Sequence, residues 1–337
     1  MRAAAVLPRS AHACYGRAMR PIDPSRFREP STMTGPEVSA AAGVSHVFAK
    51  RVWLALGLPD IPDDEVEFNE ADAEVLASLK LILDQGYPED DILEVARAYG
   101  HAMSRVAQAE VRIFNKAFLV PLREKAPDEN ALAERLDAII PVLLDLLGKQ
   151  LDLVHRRHLA IALQEVTAGD GAGATEDLAA GFVDLVDFSR VTQELEGEDL
   201  GHLVTRFESL ALERCVALGA HVVKMIGDAV MFVTPDAATA LRVGVAIVED
   251  VEGDEGLPAA RAGLDYGAVL PMGGDFFGRP VNVAARLTSF ARPGTVVASE
   301  ALLDQVAAPV ATSHIGRIRL HNVGQVRAFK INALDGH

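Results

Sequence analysis

Apolar residues recur at intervals of three and four over residues 34–166, and Pro and Gly residues interrupt this pattern. Such periodicity predicts amphipathic helices, so we expect the first half of the chain to be all-helical. The expected helices are a helix–turn–helix pair over residues 34–58, a helix over 72–85, and long helices over 90–118 and 130–166.

The pattern changes at residues 167–176, where the sequence TAGDGAGATE is small, polar and rich in Gly. This composition is typical of a flexible linker, so we place a domain boundary there. Short β-branched and aromatic runs then alternate with helical segments. The expected strands cover residues 178–188, two runs within 221–233, 261–269 and 295–298, and the expected helices cover 197–218, 237–251 and 280–290.

The second domain, residues 177–337, shows the order strand, helix, two strands, helix, strand. This order is typical of the ferredoxin-like fold, in which an antiparallel sheet carries its helices on one face. The sequence therefore predicts an α+β protein with an all-α domain over residues 34–166, followed by a ferredoxin-like domain.

Composition and charge exclude several classes of protein. The 337 residues include 48 acidic and 32 basic side chains, a net charge of −16 that argues against nucleic acid as the main partner. No apolar run approaches the about 18 residues that a membrane span needs. The cysteines, Cys14 and Cys215, lack the spacing of a zinc site and do not indicate an oxidising compartment.

The N-terminal segment, residues 1–33, has no apolar stretch that would make it a signal peptide, because His12 and Arg17 interrupt it. We therefore expect this segment to be a disordered lead-in. Together with the absence of a predicted membrane span, this favours a cytoplasmic protein.

Two aspartates are placed where strands end. Asp184 follows an apolar strand in FVDLVDFS, and Asp228 lies at the tip of a predicted hairpin in KMIGDAVMF. Gly-Asp is also an ordinary turn dipeptide, so Asp228 alone indicates little. Two carboxylates from adjacent strand ends are, however, suitable ligands for hard divalent cations that act in phosphoryl transfer.

Asn282 and Arg286 are four residues apart in the segment VNVAAR, just after Pro280 marks a helix start. Four-residue spacing places both side chains on one helix face. A neutral hydrogen-bonding group beside a guanidinium suits a ribose and a negatively charged transition state. An ordinary exposed polar face explains the same spacing.

In combination, FVDLVDFS, KMIGD and DFFGRPVNVAARL resemble the catalytic core of the class III nucleotidyl cyclases, from about residue 178 to the C-terminus. The resemblance implies that Asp184 and Asp228 bind two Mg²⁺ or Mn²⁺ ions in each active site. The Leu185 carbonyl is implied as a further metal ligand.

The resemblance also implies how the substrate is bound. Backbone amides near Phe188 and Ser189 would contact the phosphates, and Lys224 and Asp275 would bind the base. Adenine offers an acceptor at N1 and a donor at its 6-amino group, which match a Lys donor and an Asp acceptor. Guanine inverts both groups and leaves the pair unsatisfied, so we expect ATP to be the substrate.

For the remaining two positions, the resemblance implies that Asn282 orients the ribose and that Arg286 stabilises charge on the α-phosphate. The product would be 3′,5′-cyclic AMP. Because class III sites form between two catalytic domains and this chain has one, we expect a homodimer with two shared sites. Each site would take its metal aspartates from one chain and its base-binding and ribose-binding residues from the other.

Two other functions compete with this interpretation. The segment MGGDFF is similar to the GGDEF motif of diguanylate cyclases, but it lacks the required Glu and VNVAAR follows it. The helix–turn–helix pair, with His46, Lys50 and Arg51 on its second helix, suggests a nucleotide-sensing or DNA-binding regulator. Three basic side chains on an acidic chain are few for DNA binding.

The resemblance to soluble bacterial cyclases suggests that the helical domain regulates the catalytic domain by autoinhibition. His101, His155 and His158 make proton sensing one candidate signal, since His titrates near neutral pH. A solvated basic face explains the run Arg156–His158 equally well. A small apolar ligand enclosed by the helices is the other candidate.

Overall fold

The computed structural model describes residues 22–168, 175–195 and 197–334. The chain forms two compact units, Met1–Leu163 and Gln164–His337. Most of the predicted linker, residues 167–176, lies outside the described residues, so its flexibility stays a prediction.

The first unit is helical, with one small sheet that the sequence did not predict. Two short strands, Met33–Thr34 (β1) and Val66–Phe68 (β2), pair antiparallel, and Met33 lies opposite Phe68. A short 3₁₀ helix covers Pro24–Phe27, and a π-helical turn covers Asn115–Leu119. The other elements are α1 (Gly35–Ala42), α2 (His46–Ala55), α3 (Glu70–Asp84), α4 (Glu89–Phe114), α5 (Val120–Lys125) and α6 (Glu129–Ala168).

Local sequence signals explain where the first helices begin. Thr34 accepts the Glu37 N–H and the Glu37 carboxylate accepts the Thr34 N–H, so the two residues form a capping box at the start of α1. Gly43 ends this helix in the left-handed conformation with a φ of 70°. The helices then bury an apolar cluster that includes Val38, Phe48 and other side chains of α1 to α4.

The prediction of a disordered lead-in is wrong for residues 22–33. Ile22 packs against an apolar cluster of α5 and α6, and the Phe27 ring meets the Phe114 ring edge-on with centroids 6.2 Å apart. The Thr32 N–H donates to the Phe68 carbonyl at 2.7 Å. These contacts join the segment to residues far away in the sequence, which the local sequence pattern did not indicate. Residues 1–21 lie outside the described residues.

The second unit is a mixed sheet with helices. Its elements are β3 (Glu176–Leu185), α7 (Phe188–Glu194), α8 (Gly197–Leu218), β4 (His221–Ile226), β5 (Ala229–Thr234), α9 (Ala237–Glu252), β6 (Ala260–Met272), β7 (Asp275–Phe277), α10 (Arg279–Phe290), β8 (Thr295–Ser299), α11 (Glu300–Leu303), β9 (Val310–Leu320) and β10 (Gly324–Leu334). The strands are ordered β4-β5-β3-β6-β8-β10-β9, and β7 pairs with β6. All neighbouring strands are antiparallel except the parallel pair β6 and β8.

The ferredoxin-like order is confirmed in the succession β3, α8, β4, β5, α9 and β6, so the protein is α+β as predicted. Four further strands, β7 to β10, extend this arrangement, and only β8 among them was expected. Across the described part of the chain, no helix combines the length and apolar character needed to cross a bilayer.

The prediction that all helices lie on one face of this sheet is wrong for α10. Phe207 of α8 and Leu241 of α9 pack with Val183 on one face. Ala284 of α10 packs with Ala180 on the other face. Side chains alternate along a strand, and β3 is apolar at both sets of positions, so both faces need covering.

Candidate active site

Two aspartates meet at one end of the sheet. Asp184 is the second-last residue of β3 and pairs in register with Ala229, the first residue of β5. Asp228 lies in the preceding turn, where Gly227 has a left-handed φ of 64°. The Leu185 N–H donates to the Asp228 carbonyl at 3.0 Å. The fold therefore makes neighbours of two carboxylates that are far apart in the sequence.

The carboxylates of Asp184 and Asp228 act on each other electrostatically. Burial raises the pKa of Asp228, and the charge and hydrogen bonding of Asp184 raise it further. Two carboxylates that repel each other's charged forms are stabilised when a cation binds between them. Their oxygens are the hard donors that Mg²⁺ and Mn²⁺ prefer, so these residues fit such an ion.

The aspartate pair supplies only part of a coordination shell. Within the residues that the structure describes, no group of three or more His, Cys, Asp or Glu side chains is arranged to hold a metal. The remaining ligands would have to be main-chain, water or substrate oxygens. Leu185, the predicted main-chain ligand, is the last residue of β3 and directly follows Asp184.

Arg261 is a site residue that the sequence analysis missed. Its guanidinium donates to Asp184 Oδ2 from Nε at 3.1 Å and from Nη2 at 2.8 Å. Its Nη1 donates to the Ser289 carbonyl at the C-terminal end of α10, at 3.1 Å. Arg261 lies directly opposite Asp184 across β3 and β6. Predicting this contact requires the register of β3 against β6, which the sequence alone did not supply.

Lys224 and Asp275, the predicted base-binding residues, form an ion pair between Lys224 Nζ and Asp275 Oδ2. Both side chains are half-buried, with exposed fractions of 34% and 29%. Asp275 Oδ1 also accepts the Phe276 N–H at 2.8 Å. The pair thus joins β4 to β7 and presents a donor beside an acceptor.

Phe188 and Ser189, the predicted phosphate contacts, begin the short helix α7. Asp187, just before them, has a left-handed φ of 56°. The neighbouring Val186 N–H already donates to the Ala259 carbonyl at 2.7 Å, so it is not available to a phosphate. Phe188 packs against the core, whereas Ser189 is exposed.

Asn282 and Arg286 share the exposed face of α10, as their spacing predicted. Val283 and Leu287 on the opposite face are fully buried. The Asn282 side-chain amide donates to the Gly278 carbonyl at 3.1 Å. These two side chains therefore lie on the face of α10 that is turned away from the sheet.

The basic residues of the helix–turn–helix pair already contact acidic side chains of the same chain. Lys50 Nζ lies 2.9 Å from Asp60 Oδ1, and His46 Nε2 lies 3.1 Å from Asp63 Oδ1. The third basic residue has two acidic partners, since Arg51 pairs with Glu89 and Asp90. Phosphate binding would have to displace these contacts, which argues against a DNA-binding surface here.

The first unit contains an apolar cavity of about 290 Å³ within α1 to α3 and the connection to β2. Val38, Trp53 and Leu76 supply part of its apolar lining, and His46 and Lys50 lie on its lining too. A mostly apolar cavity with a few polar groups is the usual form of a small-molecule site.

The three histidines proposed as proton sensors differ in their surroundings. His155 Nε2 on α6 lies 3.4 Å from the Tyr99 hydroxyl on α4, so the imidazole takes part in a contact between two helices. His101 and His158 are exposed. Arg156 in the basic run pairs with Asp152 one turn earlier, as expected of a solvated helix face.

Comparison with known proteins places these features in a family. The chain is 34% identical over 273 residues to an adenylate cyclase of Streptomyces coelicolor, covering 80% of this chain and 70% of the relative. It is 32% identical over 309 residues to a pH-sensitive adenylate cyclase of Mycobacterium tuberculosis, covering 88% of this chain and 77% of the relative. The chain belongs to the class III adenylate cyclase family. The sequence resemblance is thereby confirmed.

Residues 28–163 match the adenylate cyclase regulatory domain family. The match covers the helical unit and includes residues 28–33, in agreement with the packing of that segment. Among solved structures, an adenylyl cyclase of P. aeruginosa aligns with a TM-score of 0.45 and 20% identity, covering 48% of this chain and 96% of that chain.

Proposed function

We propose that this cyclase family member converts ATP to 3′,5′-cyclic AMP and pyrophosphate. The 3′-hydroxyl oxygen forms a bond to the α-phosphorus and loses its proton. The bond between the α-phosphorus and the oxygen that bridges to the β-phosphorus breaks, and pyrophosphate leaves. The observation that carries the proposal is the convergence of Asp184 and Asp228 at one sheet end, where burial and mutual repulsion raise the pKa of Asp228.

Asp184 and Asp228 are the residues that would hold two Mg²⁺ or Mn²⁺ ions, with the Leu185 carbonyl as a further oxygen donor. Bound metal would favour loss of the 3′-hydroxyl proton and stabilise the charge of the phosphates. In the absence of substrate Arg261 balances the charge of Asp184. With ATP present, the same guanidinium is placed to donate to a phosphate oxygen.

Lys224 and Asp275 support the choice of ATP over GTP. Lys224 Nζ is a donor for adenine N1, and Asp275 accepts a hydrogen bond from the 6-amino group. Their ion pair keeps both side chains in place before the base enters. Amides near Phe188 and Ser189 would contact the phosphates. GTP would leave this half-buried donor and acceptor unsatisfied, which costs at most about 1–3 kcal/mol for each group.

The exposed position of Asn282 and Arg286 supports a site shared between two copies. In a twofold dimer, this face of α10 would meet the aspartates of the partner subunit and form two equivalent sites. Asn282 would then orient the ribose. Arg286 would stabilise the charge that develops on the α-phosphate in the transition state.

The regulatory domain would restrain the catalytic unit. The apolar cavity supports control by a small apolar ligand, and the contact of His155 with Tyr99 supports control by protonation. A full-length His155→Gln variant with the wild-type pH profile of activity would contradict proton sensing through this histidine.

Binding of an apolar ligand in the cavity is tested by the shift of the melting temperature in the presence of fatty acids. Ala49→Phe, which would fill part of the cavity, should abolish the shift.

The test of the proposed activity is incubation of the purified full chain with Mn²⁺ and either ATP or GTP, followed by identification of the product by mass spectrometry. We expect cyclic AMP from ATP and much less cyclic GMP from GTP. Asp304→Asn, a change at an exposed carboxylate outside the site, is the matched control and should leave the rate unchanged. Absence of any cyclic nucleotide, or preference for GTP, would contradict the proposal.

A further inference from the structure

Asp265, in the middle of β6, is a buried acidic residue outside the site described above. It has no exposed surface. Its Oδ1 accepts a hydrogen bond from the Ser299 hydroxyl, whereas its Oδ2 is buried without a hydrogen-bond partner. A carboxylate oxygen in that condition costs free energy, so its presence needs an explanation.

The position of Asp265 in the sheet supplies that explanation. Gly263, Asp265 and Gly267 alternate onto the same face of β6, and α10 lies over them. A methyl group at Gly263 would come within 2.4 Å of the Ala284 carbonyl oxygen, and one at Gly267 would come within 3.2 Å of the Pro280 ring. The Asp265 side chain therefore lies beneath the first turns of α10, where two glycines let the helix approach the strand.

The partners of Asp265 connect α10 to a fixed part of the fold. Ser299 ends β8 and caps α11, since its hydroxyl accepts the Leu302 N–H at 3.1 Å. Arg279 is the first residue of α10, and its Nη1 lies 4.0 Å from Asp265 Oδ2. The partial positive charge at a helix N-terminus also favours a nearby carboxylate.

The charged groups around Asp265 are few. From α10, Arg279 faces the carboxylate, and its side chain is 59% exposed, so it has room to move. From β8 and α11, Ser299 contributes a hydroxyl. Glu300, the next residue, is directed to Arg327 at 2.5 Å. From β3, the register partner of Asp265 is the uncharged Ala180.

We propose that Asp265 is a positioning residue for the cyclase reaction, which acts by fixing the first turns of α10 and thereby the placement of Asn282 and Arg286. The inference rests on the proposed function, because it assumes that those two side chains contact the substrate. Ionised Asp265 holds the start of α10 through its attraction to Arg279. Ser299 keeps the carboxylate in the required orientation.

The protonation behaviour of Asp265 gives this role a specific signature. Burial raises its pKa from 3.8 to about 6. The folded protein therefore binds this proton more tightly than the unfolded chain, and stability falls as the pH rises from about 4 to about 6. At neutral pH the ionised carboxylate costs stability, while the attraction to Arg279 requires that charge.

The test is Asp265→Asn in the full-length protein, since Asn retains an oxygen that accepts from Ser299. We expect kcat with Mn²⁺ and ATP at pH 7.5 to fall about tenfold, because small displacements of reacting groups are costly. KM should change little, since the Lys224 and Asp275 pair remains. The melting temperature at pH 7.5 should rise. Wild-type kcat should fall below about pH 6, because Asp265 becomes protonated there. This fall should be weaker in the variant.

Arg279→Met provides a second variant at an exposed position and should lower kcat in the same direction by a smaller factor. Asp304→Asn is the control and should change neither kcat nor melting temperature. Wild-type kcat and pH profile in Asp265→Asn would overturn the proposal. A fall of kcat together with a lower melting temperature would also overturn it, because Asp265 would then serve only the fold.

Hydrogen exchange of the same proteins supplies a readout that does not need activity. Amides at the start of α10 should exchange faster in Asp265→Asn than in wild type, whereas those of α9 should be unchanged. Equal exchange in α10 would overturn the positioning role. An inactive wild-type protein would contradict the proposed function, and the exchange data would still decide the role of Asp265.

Discussion

The two parts of the candidate site differ in how far one chain completes them. Asp184 is held by Arg261, and Lys224 is paired with Asp275, so these groups find their partners within the chain. Asn282 and Arg286 instead lie on the exposed face of α10, turned away from the sheet. The difference indicates that the side chains expected to bind metal and base are held by contacts across the sheet, whereas those expected to contact the ribose and the α-phosphate lie on an exposed helix face.

The strongest way to break this comparison is to remove an expected metal ligand, Asp228. Asp228→Asn keeps the shape of the side chain but removes a charged oxygen donor, so we expect kcat to fall at least about a thousandfold. The melting temperature should not fall, because burial and the charge of Asp184 raise the pKa of Asp228 in the metal-free protein. Rates of cyclic AMP formation and thermal melts measure both effects. Activity within tenfold of wild type would contradict the assignment.

A change in the base-binding pair should have an intermediate effect. Lys224→Met removes the donor expected to face adenine N1, and we expect the ratio of kcat/KM for ATP to that for GTP to fall about ten- to hundredfold. Competition between the two nucleotides, with both products quantified, measures the ratio directly. Lys330→Met, a change at an exposed lysine of β10, is the matched control. An unchanged ratio would remove Lys224 from base recognition.

The smallest expected effect is stabilisation by metal. At a hundredfold excess over Kd, a bound ion adds about 2.7 kcal/mol to stability, which raises the melting temperature by on the order of 5 °C. Mn²⁺ should therefore stabilise the wild type and leave Asp228→Asn nearly unaffected. Equal shifts in both proteins would show that the ion binds somewhere other than the aspartate pair.

Local patterns were enough to select two of the candidate site residues and to place them at strand ends. FVDLVDFS and KMIGD each combine a strand with its polar end, so Asp184 and Asp228 follow from motif and turn chemistry. Arg261 could not be found in this way, since its contact with Asp184 depends on the register of β3 against β6. Asp265 was missed for a similar reason: GLDYG reads as an ordinary strand until α10 covers it.

The fold shows the same division between local and tertiary information. The signals that start helices, such as the capping box of Thr34 and Glu37, involve residues only a few positions apart and can be read from the sequence. The placement of α10 on the second face of the sheet depends on close approach at Gly263, which no periodicity reports. Residues 22–33 likewise gain their structure from distant partners such as Phe114 and Phe68.

The central claim, a site divided between two copies, is tested most directly by mixing two inactive variants. Asp228→Ala and Arg286→Ala chains are each expected to be inactive alone. After equimolar mixing and exchange of subunits, half of the dimers would be mixed and would carry one intact site of two, so about a quarter of wild-type activity should return. No recovery, with mixed dimers verified by differential tags, would contradict the account.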